Sequence, residues 1–119
     1  MRSDTVLYGI TTCDTVRKAK RWLEEQDISF RYHDLRKDGL SETDLAAWIE
    51  AVGWEALINR SGTTFRKLSE AEKGVTSVAE ARQLMLTYPT VIKRPVLVRG
   101  ASVTLGFKPE LYGALFTAG

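Results

Sequence analysis

The 119 residues include one cysteine, Cys13, and one histidine, His33. An internal disulfide is therefore impossible. One Cys and one His cannot supply the four ligands of a structural zinc cluster, so no metal site is expected. Any thiol chemistry must run through Cys13 and an external partner. A lone cysteine is by default a small buried hydrophobe, so its context must argue otherwise. Cys13 stands in Thr11-Thr12-Cys13-Asp14-Thr15, a run of small and capping residues between an apolar segment and an amphipathic one. The free backbone N–H groups of a helix start favour an anion, and so a thiolate. Thr12, Asp14, Thr15 and Arg17 are accordingly candidate anion-binding residues around it, with the N–H groups of 12–15 as the cradle.

The following helix carries a second signal. Arg17, Lys18, Lys20 and Arg21 fill its first turns, and Glu24 and Glu25 its end. That order opposes the helix dipole, which prefers acids first, and each misplaced charge costs about 0.3–1 kcal/mol. A local rule broken beside a lone cysteine is where function is expected, although a solvated charged face would look the same. Three further candidates lie far along the chain. Arg94 precedes Pro95 at a strand entrance, where a proline removes a ladder hydrogen bond and a cis bond would mark a specified turn. Arg60 follows short helices in a Gly/Ser turn. Lys108 directly precedes the last helix, where a cation is unfavourable unless an anion joins it. Taken singly, each reads as a surface cation. His33, on a strand, reads as a structural polar residue. Trp22, Trp48 and Trp54 read as core or half-buried anchors.

The elements that must position these residues follow from periodicity. Residues 5–10 (TVLYGI) form a buried strand, and Val16, Ala19 and Leu23 mark an amphipathic helix over 14–26. Residues 28–33 alternate as a second strand, so the first unit is βαβ with a parallel pair. Lys37-Asp38-Gly39 is a turn. Ser41-x-x-Asp44 and Ser77-x-x-Glu80 resemble capping boxes. They head helices with apolar stripes Leu45, Trp48, Ile49, Val52 and Val78, Ala81, Leu84, Met85. Gly53 breaks the first of these; Thr63 or Thr64 caps a further turn holding Phe65 and Leu68. The middle, about 41–87, is helical. Strands at 95–98 and 101–105 flank an Arg99-Gly100 hairpin turn. Pro109 opens a last helix with Leu111, Leu115 and Phe116 on its apolar face. The order βαβ, helical block, ββα is a thioredoxin-like mixed α/β sheet with helices inserted, one domain over 1–119.

Composition narrows the function classes. An apolar fraction of 44% and a charged fraction of 27% suit a globular domain, not a disordered or fibrous chain. No stretch approaches the roughly 20 apolar residues of a membrane span. Asp4 stands where a signal peptide needs an apolar run. Cytoplasmic residence, no membrane partner and a monomer are expected. Seventeen Lys+Arg against 15 Asp+Glu leave a charge of +2, too small to imply nucleic acid.

Four blocks then resemble the ArsC/Spx/YffB family, and its YffB-like branch most closely. They are residues 8–19 (YGITTCDTVRKA), 34–40 (DLRKDGL), 94–98 (RPVLV) and 106–110 (GFKPE). The resemblance implies a thioredoxin-like sheet with an inserted helical subdomain. It implies that Cys13 is the nucleophile and Pro95 the cis proline of that fold. It matches Arg60 and Arg94 with two of three basic residues that hold the oxyanion in glutathione-coupled arsenate reductases, and Lys108 with the third. Those reductases carry a histidine four residues before the cysteine, where this chain has Gly9. Spx regulators carry Cys-x-x-Cys, where this chain has Val16. The implied activity is a glutathione-dependent monothiol reductase or thiol transferase acting on a disulfide or oxyanion. Glutathione is then a cosubstrate, with no tightly bound cofactor. Arsenate reduction by the same residues, or a non-enzymatic Spx-like binding role, are the alternatives.

Overall fold

A computed structural model describes residues 5–117. Asp4, read above against a signal peptide, lies outside them. Among the described residues two compact units emerge, one made of residues 5–34 and 94–117, the other of 35–93.

The first unit is built on a four-stranded mixed sheet, order β2-β1-β3-β4. Strand β1 (Thr5–Gly9) pairs parallel with β2 (Arg31–Asp34) and antiparallel with β3 (Val96–Arg99). Strand β4 (Ser102–Leu105) closes the edge antiparallel to β3. Helix α1 (Asp14–Glu25) supplies the crossover between β1 and β2. Helix α7 (Pro109–Thr117) follows β4. Leu7 and Leu97, which face each other across β1 and β3, join Ala19 and Leu23 of α1 and Tyr112 of α7 in one core. Both helices therefore cover one face of the sheet, the thioredoxin-like arrangement expected from the element order.

Three local readings change. Strand β2 begins at Arg31 rather than Ile28, because the end of α1 takes the intervening residues. The Ile28 N–H donates to Leu23 O and the Asp27 N–H to Glu24 O, a Schellman closure. Asp27 (φ 56°) occupies the left-handed position usually given to glycine. The β3–β4 turn is Gly100-Ala101, one residue later than read, with Gly100 (φ 58°) at its first central position as type II′ geometry requires. On α7 the buried residue is Tyr112, while Leu111 is exposed. A spacing of 112, 115 and 116 turns that face inward.

The 35–93 unit holds α2 (Glu42–Val52), α3 (Trp54–Leu57), α4 (Thr63–Arg66), α5 (Glu70–Lys73) and α6 (Val78–Thr87). A 3-10 turn at Pro89–Val91 follows. An isolated bridge pairs Ile58 with Ile92, flanked by hydrogen bonds from the Asn59 N–H to Val91 O and from the Lys93 N–H to Leu57 O. Leu45, Trp48, Leu57, Met85 and Ile92 are buried. Val78, read as part of the α6 stripe, is exposed at the helix's first position. Helix α4 is capped by the Gly62 backbone rather than by Thr63 or Thr64; the Thr64 hydroxyl shares a 2.8 Å hydrogen bond with that of Thr90 instead.

Candidate active site

The path from β1 into α1 is set by a tight turn. The Cys13 N–H donates to Ile10 O at 3.1 Å, which reverses the chain through Thr11 and Thr12. Cys13 is the N-cap residue of α1, extended at φ −86°, ψ 123°, and its carbonyl accepts the first helical bond from the Arg17 N–H. Its side chain makes no capping hydrogen bond and is half-buried. Capping positions normally hold a side-chain oxygen that accepts from the next turn's N–H groups. Here a sulfur stands in that position, beside donors of the first turn that any bound anion can use.

Two contacts fix this loop from below. The Thr11 hydroxyl donates to Asp34 Oδ2 at 2.9 Å. Asp34 ends β2 and is only 5% exposed, so the tether is anchored in the sheet. Gly9, the last residue of β1, lets the helix approach closely. A Cβ there would lie 2.6 Å from Cγ2 of Val16. Asp34 is a positioning residue the sequence reading did not single out. Its signal in the sequence was an acid directly after the alternating 28–33 run.

Register places several other candidates at the same end of the sheet. Tyr8 pairs with Val96, so the start of β3 lies beside the end of β1. The peptide bond Arg94–Pro95 is cis, as the family resemblance and the proline at a strand entrance together implied. Pro95 is buried, and its carbonyl accepts from the Gly106 N–H at 2.9 Å. Leu105 pairs with Val96, so β4 ends here too and delivers Lys108 to the start of α7. The Tyr112 N–H closes on Lys108 O, and the Tyr112 hydroxyl donates to Gly106 O at 3.1 Å. Burial pushes the Tyr112 phenol well up, which keeps it protonated as that donor. The starts of α1 and α7 thus share one sheet end with Arg94, Pro95 and Lys108. Arg94 is half-buried with its Nε shielded from solvent; Lys108 is exposed.

The remaining candidates behave differently. Arg17 and Asp14 pair with each other on the first turn of α1, both exposed. An exposed pair of this kind contributes little stability. Thr12 and Thr15 are exposed beside Cys13. Lys20, one of the cations read as misplaced, sits 4.3 Å above the Tyr32 ring and so has a local structural partner. Arg60 belongs to the 35–93 unit, where it is exposed with its guanidinium 5.4 Å from the Phe65 ring centroid. His33 is half-buried, 4.8 Å from the Tyr8 ring. Among the described residues, no three His, Cys, Asp or Glu side chains gather as a metal would need. Among them, too, no helix is long and apolar enough to cross a membrane.

A half-buried cysteine at a helix start thus shares one end of the sheet with a cis proline. A family model described as the ArsC family matches residues 8–115. The chain belongs to the ArsC family. Within it, a solved YffB protein shares 46% identity, with a TM-score of 0.88 over 92% of this chain and 96% of its own. The solution structure of an arsenate reductase (ArsC) related protein from Brucella melitensis is also 46% identical. Its TM-score is 0.76, over 98% of this chain and 96% of that one. The ArsC relatives also include the global transcriptional regulator Spx of Streptococcus pneumoniae, 27% identical over 87% of this chain and 79% of its own. The fold is thus arsenate reductase-like, and relatives within it include regulators.

Proposed function

We propose that this ArsC protein is a glutathione-dependent monothiol reductase or thiol transferase, acting in the cytoplasm as a monomer with Cys13 as nucleophile. The Cys13 thiolate attacks the glutathionyl sulfur of a mixed disulfide. The S–S bond breaks, the substrate leaves as a thiolate, and Cys13 becomes glutathionylated. A glutathione thiolate then attacks the glutathionyl sulfur on Cys13, releasing glutathione disulfide and restoring the Cys13 thiolate. Thr12, Asp14, Thr15 and Arg17 line the approach, and their backbone N–H groups meet the anionic charge of the incoming group. Arg94 and Lys108 bind its carboxylates, Arg94 as a bidentate fork.

The observation that carries this reading is Cys13 itself. It is half-buried rather than sealed, it occupies an N-cap without capping, and no second cysteine exists to resolve an intermediate. Reduction of arsenate by the same residues is less well supported. The histidine that arsenate reductases carry at the position of Gly9 would meet Val16 at 2.6 Å from its first side-chain atom. A glutathione-coupled assay tests the reading, with a glutathionylated peptide and arsenate as parallel substrates. Turnover of the peptide that vanishes in Cys13→Ser is expected. Turnover of arsenate alone assigns the reductase, and turnover of neither refutes an enzyme and leaves the Spx-like binding role.

A further inference from the structure

A groove of about 450 Å³ opens within the 35–93 unit between α5 and α6, remote in sequence from Cys13. Its floor is apolar: Ala71 from α5, Val75 from the connecting turn and Leu84 from α6, the last two buried. Tyr88 forms one wall, and two carboxylates, Glu72 and Glu80, stand on the rim. No lining residue is a cation.

The local sequence fixes both acids. Glu72 belongs to a reciprocal capping box: Ser69 Oγ accepts from the Glu72 N–H, and Glu72 Oε1 accepts from the Ser69 N–H at 2.9 Å. Glu72 Oε2 accepts from the Tyr88 hydroxyl at 3.0 Å, which ties the wall to the rim. Glu80 Oε1 accepts from the Thr76 N–H at 3.0 Å. The backbone hydrogen bond from Ser69 holds the Glu72 carboxyl below its ordinary value, and that from Thr76 does the same for Glu80. Both are therefore anionic at neutral pH. Among the described residues neither has a cationic partner; the nearby Lys73 pairs with Glu70 instead.

An apolar floor, an aromatic wall and two uncompensated negative charges are complementary to one kind of molecule. We propose that the α5–α6 groove binds a small organic ammonium ion, its hydrocarbon body on Ala71, Val75 and Leu84 and its charged nitrogen between Glu72 and Glu80. The volume lies in the range of small-molecule sites. An ammonium donates up to three hydrogen bonds, and the carboxylate oxygens keep lone pairs beyond those already used. An anion of the same size would meet repulsion. A neutral isostere would lose the charge-assisted bonds.

The test is an amide chemical-shift titration of the full chain with n-hexylammonium chloride, with hexanoate and n-hexanol as matched probes. Saturable shifts confined to residues 71–88 are expected for the ammonium ion alone. Binding should weaken at least about tenfold in Glu72→Gln/Glu80→Gln, because charge-assisted hydrogen bonds contribute about 1.5–3 kcal/mol. Glutamine keeps the capping bond, and dispersed amide spectra would report the fold intact. Hexanol binding as tightly as the ammonium ion, no saturable shift with the ammonium ion, or unaltered binding by the folded double variant would each overturn the proposal. Should the variant not fold, the three probes on the native chain decide the matter alone.

Discussion

The start of α1 and the starts of α2, α5 and α6 solve the same problem in opposite ways. Each leaves backbone N–H groups that the helix itself cannot satisfy. In α2, α5 and α6 a serine answers: Ser41, Ser69 and Ser77 each accept from the N–H three residues on, and an acid stands in the first turn. In α1 the capping position holds Cys13, whose side chain makes no such bond, and the first-turn acid, Asp14, pairs with Arg17. A serine cap contributes about 1 kcal/mol, so α1 forgoes stability that the other three use. The difference teaches where the chain accepts a poorer helix start to keep a sulfur free of a capping bond.

The largest effect should come from making α1 like the others. Cys13→Ser should abolish glutathione-coupled turnover while raising stability by up to about 1 kcal/mol, because serine caps and cysteine does not. Urea unfolding alongside the assay checks both signs. Arg94→Ala comes next, with kcat/KM falling about 10- to 150-fold for the loss of a charge-assisted contact. Arg94→Lys should recover only part, since a point charge cannot replace the fork. Turnover unchanged in Arg94→Ala would make Arg94 a bystander.

The two kinds of helix start should separate further with milder changes. Ser77→Ala should cost about 1 kcal/mol in urea unfolding and leave turnover alone. Thr11→Val should cost a similar amount, about 0.5–1.5 kcal/mol, but also slow turnover, since its tether to Asp34 holds the Cys13 loop. Equal turnover in both variants would remove Asp34 from the positioning role. The smallest effect concerns pH. Glu72 and Glu80 have folded values lowered from 4.5, so they stabilise α5 and α6 above that pH. That contribution disappears as pH falls through the lowered folded values. Amide exchange in 70–88 should accelerate there.

Much of this was legible from residue types alone. The cis bond before Pro95 needed the family resemblance beside a proline at a strand entrance, whereas the βαβ crossover and the hairpin followed from alternation and capping residues. So did the place of Cys13 between strand and helix. What escaped depends on long-range geometry. Asp27 adopting a left-handed conformation shortened β2, because nothing in its type requires it. Tyr112 replaced Leu111 in the core, because a short helix allows two apolar faces and only packing selects one. The Thr11–Asp34 tether joins residues 23 apart. The capping box at Ser69 was overlooked because α5 has no apolar stripe to announce it.

The central claim is that Cys13 alone forms and releases a glutathionyl adduct. Intact-mass spectrometry on the full chain tests it most directly, during exposure first to glutathione disulfide and then to reduced glutathione. A gain of one glutathionyl group, mapped to Cys13 and reversed by reduced glutathione at a rate fast enough to account for steady-state turnover, is the expected result. A thiol that stays unmodified, or an adduct that reduced glutathione cannot remove, would contradict it.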